Sequence, residues 1–95
     1  MMTTITLNSP ITFKRGDQEM TVKELTLRKV KVKDMKVAEA EREKGSQFTA
    51  SVALLASVTG LPIEAIEELD ADDFTAVEVA MQPFLPKPPL ETGGQ

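Results

Sequence analysis

Ninety-five residues carry a net charge of −4 and include no His, Cys, Trp or Tyr. The imidazole and thiolate behind most acid–base, nucleophilic and zinc chemistry are therefore missing, and so is any disulfide framework. A chain this short buries only a little over ~60% of its unfolded surface, which leaves no room for a large enclosed active site, so a non-enzymatic protein with no metal or cofactor is expected.

The first third alternates in hydropathy. Ile5 and Leu7, Ile11 and Phe13, Met20 and Val22, and Leu25 and Leu27 each stand two apart with polar residues between them, the period of a half-buried strand. Asn8-Ser9-Pro10 and Arg15-Gly16-Asp17-Gln18 read as the turns between these runs. A small antiparallel sheet of two to three strands is predicted over residues 4–28, and such a sheet needs helices packed on its apolar face.

From about Lys33 the period changes. Asp34 to Lys44 is rich in helix formers, with Glu39/Arg42 and Glu41/Lys44 at pairing distance and Gly45 as a stop. Ser46 can cap a second helix, Gln47 to Thr59, that closes at Gly60. Its apolar rows, Phe48, Val52 and Leu55 beside Leu54, Val58 and Leu61, make a face wide enough to need cover from more than one direction. Residues 46–63 carry no charge, yet polar residues, Gly60 and Pro62 interrupt them well short of the ~20 apolar residues that a bilayer requires, and Met1 to Leu7 lacks the pattern of a signal peptide. Pro62 suits the first position of a short third helix through Leu69, with Ile63, Ile66 and Leu69 inward. Asp70 caps a fourth, on which Phe74, Val77 and Met81 recur at helical spacing up to Pro83. The predicted fold class is α+β: the sheet, then a bundle of three to four short helices over residues 33–85. Together they form one domain, 1–85, followed by a disordered Pro/Gly-rich tail, Pro86 to Gln95.

Charge is segregated along the chain. Residues 1–44 hold ten Lys/Arg against seven Asp/Glu, whereas residues 45–95 hold Lys87 against eight acids. Attraction between the halves, or between copies of the chain in a homo-oligomer, follows from that imbalance. Asp70, Asp72 and Asp73 imitate the opening of a calcium loop, but the Gly and Glu required at its sixth and twelfth positions are Thr75 and Met81, so these acids are assigned to a helix start. Glu67 and Glu68 are assigned to a solvated face. The one basic cluster, Arg28, Lys29, Lys31, Lys33 and Lys36, supports an alternative reading as a small nucleic-acid-binding regulator. Against it, no aromatic residue lies nearby for stacking. Ala56 to Pro62 followed by Ile66 also imitates a helix-turn-helix, but Glu64, Glu67 and Glu68 on the second helix would be repelled by DNA phosphates.

Ile5-Thr6-Leu7 with Pro10-Ile11, then Glu24-Leu25-Thr26-Leu27-Arg28, then Leu54-Leu55-Ala56-Ser57-Val58-Thr59-Gly60-Leu61-Pro62 running on to Ile66, Leu69, Asp70 and Asp73 form an ordered string. It resembles the tail assembly chaperones of contractile-tailed bacteriophages, the group related to the E-type and Mu-like proteins, over residues 4 to 85. Lys33-Asp34-Met35 departs from the small-residue helix start of that family. The resemblance implies a helper in the cytoplasm of the bacterial host that binds the tape measure protein before tail-tube subunits polymerise around it and is absent from the finished virion. It also implies dealings with the tail-tube protein and with a longer, frameshifted form of the chain itself. Phe48, Val52, Leu55, Val58, Phe74, Val77 and Met81 are the predicted partner-binding surface, in a helix-in-groove mode. Periodicity alone leaves open whether these seven are partner surface or internal core.

Overall fold

Alternation at period two produces two strands, β1 (Met2–Arg15) and β2 (Gln18–Arg28), paired antiparallel from Met2↔Arg28 to Arg15↔Gln18 in a computed structural model that describes residues 2–85. The expected tail, Pro86 to Gln95, lies outside the described residues. Gly16 turns the hairpin at φ +63°, a backbone angle that side chains resist and glycine adopts freely. On one face Leu7, Ile11, Phe13, Leu25 and Leu27 are buried. The other carries Thr pairs directly opposite each other, with the Thr4 and Thr26 hydroxyls 3.3 Å apart and those of Thr12 and Thr21 3.5 Å apart.

Asn8-Ser9-Pro10 is not a turn. The strand continues through it, and the register slips, so that Leu7 to Pro10 face Lys23 alone between the pairs Thr6↔Glu24 and Ile11↔Val22. Pro10 has no N–H to give to a ladder, and the N–H groups of Asn8 and Ser9 are taken by the helical side of the molecule. The chain therefore bulges toward the helices where the sequence suggested that it reverses.

Four helices follow: α1 (Val32–Lys44), α2 (Gln47–Thr59), α3 (Ile63–Ile66) and α4 (Ala71–Met81), with a 3₁₀ turn, Gln82–Phe84, after α4. Helix α1 begins earlier than the expected Asp34 because the Asp34 carboxylate accepts the N–H of Lys31, the residue at the helix cap. Helix α2 has its expected limits. Ser46 accepts the Thr49 N–H at its start, and Gly60, at φ +76°, returns its own N–H to the Ala56 carbonyl at its end. Helix α3 is shorter than expected, and Pro62 stands at its cap, one position before the expected one. Asp70 sits at the cap of α4 by backbone conformation, but it is its carbonyl that accepts the Phe74 N–H; the side chain makes no capping bond. Pro83 lies within the 3₁₀ turn that closes α4.

The core is shared between sheet and helices. The buried face of the hairpin meets Val52, Leu55, Ala56 and Val58 of α2, Ala65 and Ile66 of α3, and Val77 and Met81 of α4. Helix α1 contributes almost no apolar area; of its residues only Asp34 is buried. What fixes α1 is polar. Arg28, at the end of β2, grips Asp34 through two N–H groups at 2.8 and 2.9 Å, the Lys31 N–H adds a third bond at 2.8 Å, and the Ser57 hydroxyl of α2 donates a fourth. Arg28 also donates to the Ser57 carbonyl at 3.2 Å. One carboxylate thus joins β2, α1 and α2.

A second buried carboxylate holds the other side. Asp73, in the first turn of α4, accepts the Asn8 and Ser9 N–H groups, each at 3.0 Å. The bulge in β1 is where α4 is attached to the sheet, and Asp73 lies at the positive end of its helix, where a negative charge is favoured.

Two expectations follow. The Arg28 guanidinium, helped by Ser57 and Lys31, holds the Asp34 carboxyl well below the usual carboxylate range even though burial pushes the other way. A depressed pKa contributes stability above the unfolded value of about 3.9 and loses it as pH falls toward the folded value. Asp34→Asn should therefore cost about 2–4 kcal/mol at neutral pH, with the gap to the unmodified protein closing below about pH 4 in denaturation curves. Asp73→Ala should cost less, about 1–2 kcal/mol, because exposed Asn8 can turn to water, and amide exchange at Asn8 and Ser9 should quicken selectively.

Candidate partner-binding groove

The start of α2, the whole of α3 and the outer side of α4 converge on an open groove of about 570 Å³. Ser46 caps α2 and so sets Phe48 in its first turn, pointing outward with 64% of its surface exposed. Phe74 of α4 meets it, with ring centroids 5.3 Å apart and planes tilted by 55°, an arrangement aromatic pairs favour. Val52, Ile63, Ile66 and Leu69 continue the apolar floor. Leu69 is brought there by the short turns after α3, in which the Glu68 and Leu69 N–H groups bond back to Ala65 and Ile66.

The rim is acidic. Glu41, Glu67 and Glu78 border the groove, and no Lys or Arg lines it. Lys44 lies 3.5 Å from Glu41 and offsets part of its charge. Glu67 and Glu78 belong to a stretch, residues 45–85, that contains no Lys or Arg at all. The floor offers few polar groups, Thr49 and Thr75 among them, so the groove can desolvate an apolar surface and reward positive charge at its edges.

The seven residues predicted as partner surface fall into two groups. Leu55, Val58, Val77 and Met81 are buried in the core, and Val52, also buried, reaches the groove floor. Phe48 and Phe74 form the accessible aromatic edge. Ile63, Ile66 and Leu69, predicted to point inward, also line the groove, and Glu67, assigned to a solvated face, stands on its rim. The charge-free run that starts at Gly45, continued by acids without a single cation, was the sequence signal for this side of the molecule.

Other constellations dissolve into structure. Arg28 of the basic cluster is committed to Asp34, which leaves Lys29, Lys31, Lys33 and Lys36 as an exposed ridge and gives the nucleic-acid reading no support. Helices α2 and α3 do form a pair, but α3 spans one turn and carries Glu64, too short and too acidic for a duplex groove. Asp73 is bound to backbone, and no group of three candidate ligands is placed to hold a metal among the described residues. None of the described helices is long and apolar enough to cross a membrane.

Against known proteins, no curated protein and no solved structure is significantly similar to the chain. A family model does match, over residues 4–86, which takes in the hairpin from Thr4 on, all four helices and the groove between them. By that match the chain belongs to the family of phage tail assembly chaperone proteins, E, or 41 or 14.

Proposed function

We propose that this chain acts on the tape measure protein, shielding its apolar helical faces during tail morphogenesis without catalysing a reaction. Membership of the tail assembly chaperone family over residues 4–86 carries the reading. The groove supports it: a helper needs an apolar surface that is open in its folded form, and the Phe48–Phe74 edge with the floor behind it supplies one. A tape measure precursor exposes long apolar helical stripes before the tail tube encloses it, and covering such a stripe takes burial rather than chemistry.

The remaining parts of the proposal follow from the same role. The helper works in the cytoplasm of the bacterial host and leaves before the virion is complete. The tail-tube protein and a longer, frameshifted form of the chain meet the same complex, and several copies line one tape measure protein, which is long enough to offer repeated sites.

The test is coexpression with the tape measure reading frame of the same tail gene cluster. The soluble fraction of the tape measure protein should rise several-fold when the chain is present, and the two should copurify. A tape measure protein whose solubility ignores the chain would overturn the proposal.

A further inference from the structure

We infer that the groove between α2, α3 and α4 takes an amphipathic helix whose apolar stripe is bordered by Lys or Arg. This rests on the chaperone reading for the identity of the protein that supplies the helix, but its chemistry comes from the groove itself. The walls are helices and a short turn segment, so no free strand edge is available to pair with an extended peptide. A helix satisfies its own backbone groups and can enter an apolar cleft without leaving N–H or C=O groups unpaired. Phe48 and Phe74 then serve as anchors, with Ile63 and Leu69 in the apolar lining that they share.

Charge selects among helices. Glu67 on the α3 side and Glu78 on α4 flank the floor, and no cation in residues 45–85 neutralises them. A helix with acidic borders would bring like charges together at the rim, whereas Lys or Arg would complement them and speed encounter. The same rim opposes a second copy docking through its own acidic helical half, residues 45–85, and favours a partner helix with a basic border.

The test uses the full chain and two labelled peptides of about three heptads, each with Leu at a and d, one with Lys and one with Glu at e and g. Fluorescence anisotropy should show the Lys peptide binding at least about tenfold tighter than the Glu peptide. Phe48→Ser should weaken the Lys peptide by about tenfold or more, and E67K combined with E78K should reverse the preference. Phe48 is exposed, so its replacement leaves the core untouched, and a thermal melt checks this; should it melt early, the charge reversal at the rim decides. Equal binding of both peptides, or a preference that survives E67K with E78K, overturns the inference. Coexpression separates the two ideas. If Phe48→Ser protects the tape measure protein as well as the unmodified chain does, the groove assignment fails and the chaperone reading stands. If the unmodified chain fails to protect it while the peptide preference holds, the chaperone reading fails and the groove assignment stands.

Discussion

A two-stranded sheet is marginally stable at best by itself in water, and here two buried carboxylates tie it to the helices that complete its core. Asp34 and Asp73 work in the same way. Each is anchored on a helix and accepts donors from the β-hairpin side, Arg28 in one case and the Asn8 and Ser9 backbone in the other. Hydrophobic burial would hold the hairpin somewhere against α2, but burial is non-directional. The carboxylates specify where: Asp34 sets the end of β2 beside α1 and the middle of α2, and Asp73 seats the bulge of β1 on α4. A further backbone bond, from the Val30 N–H to the Phe84 carbonyl, closes the chain between the β2–α1 connection and the end of the helical part.

With the sheet placed, the division between core and surface follows. Leu55, Val58, Val77 and Met81 face the hairpin and are consumed in covering it. Phe48 sits one turn before Val52, at the end of α2 beyond the cover of the sheet, and its only aromatic neighbour is Phe74. The hairpin is too narrow to cover α2, α3 and α4 completely. The groove is the part of the uncovered remainder whose apolar floor is continuous with the core through Val52 and Ile66. A domain of this size leaves some apolar surface exposed in any case. What sets this surface apart is that it is concave and rimmed by one sign of charge.

Much of this was legible in the residues. Period-two spacing gave a hairpin region over residues 4–28 but divided its first strand at Asn8-Ser9-Pro10, helical spacing gave the four helices, and Ser46 and Gly60 marked the limits of α2 because caps are local chemistry. What was not legible depended on distant partners. Asn8-Ser9-Pro10 has the composition of a turn, and only Asp73, more than sixty residues away, makes it a bulge. Asp34 stands alone among Lys residues, and local charge counting treated Arg28 as one more member of a basic ridge rather than as its partner. An isolated acid inside a basic run, at the position where a helix begins, was the available hint of a buried ion pair. For the candidate site, spacing found the aromatic pair but could not separate it from the core. A hydrophobic period reports which face is apolar and says nothing about whether the protein has enough other material to cover it.

The physical demands on a tail assembly helper explain why such incomplete cover is useful. Under the proposed function the chain would hold an aggregation-prone helix and then give it up to polymerising subunits, which calls for moderate affinity and fast exchange. An open groove with a few anchors limits the buried area and the strength of each contact, while an acidic rim accelerates encounter more than it slows release. Rigidity comes from the Asp34 and Asp73 ties, neither of which lines the groove, although Asp73 directly precedes Phe74 on α4. The two jobs use different chemistry: buried, hydrogen-bonded carboxylates fix the fold, and in the proposed docking mode solvated carboxylates at the edge of an apolar cleft would choose what enters it.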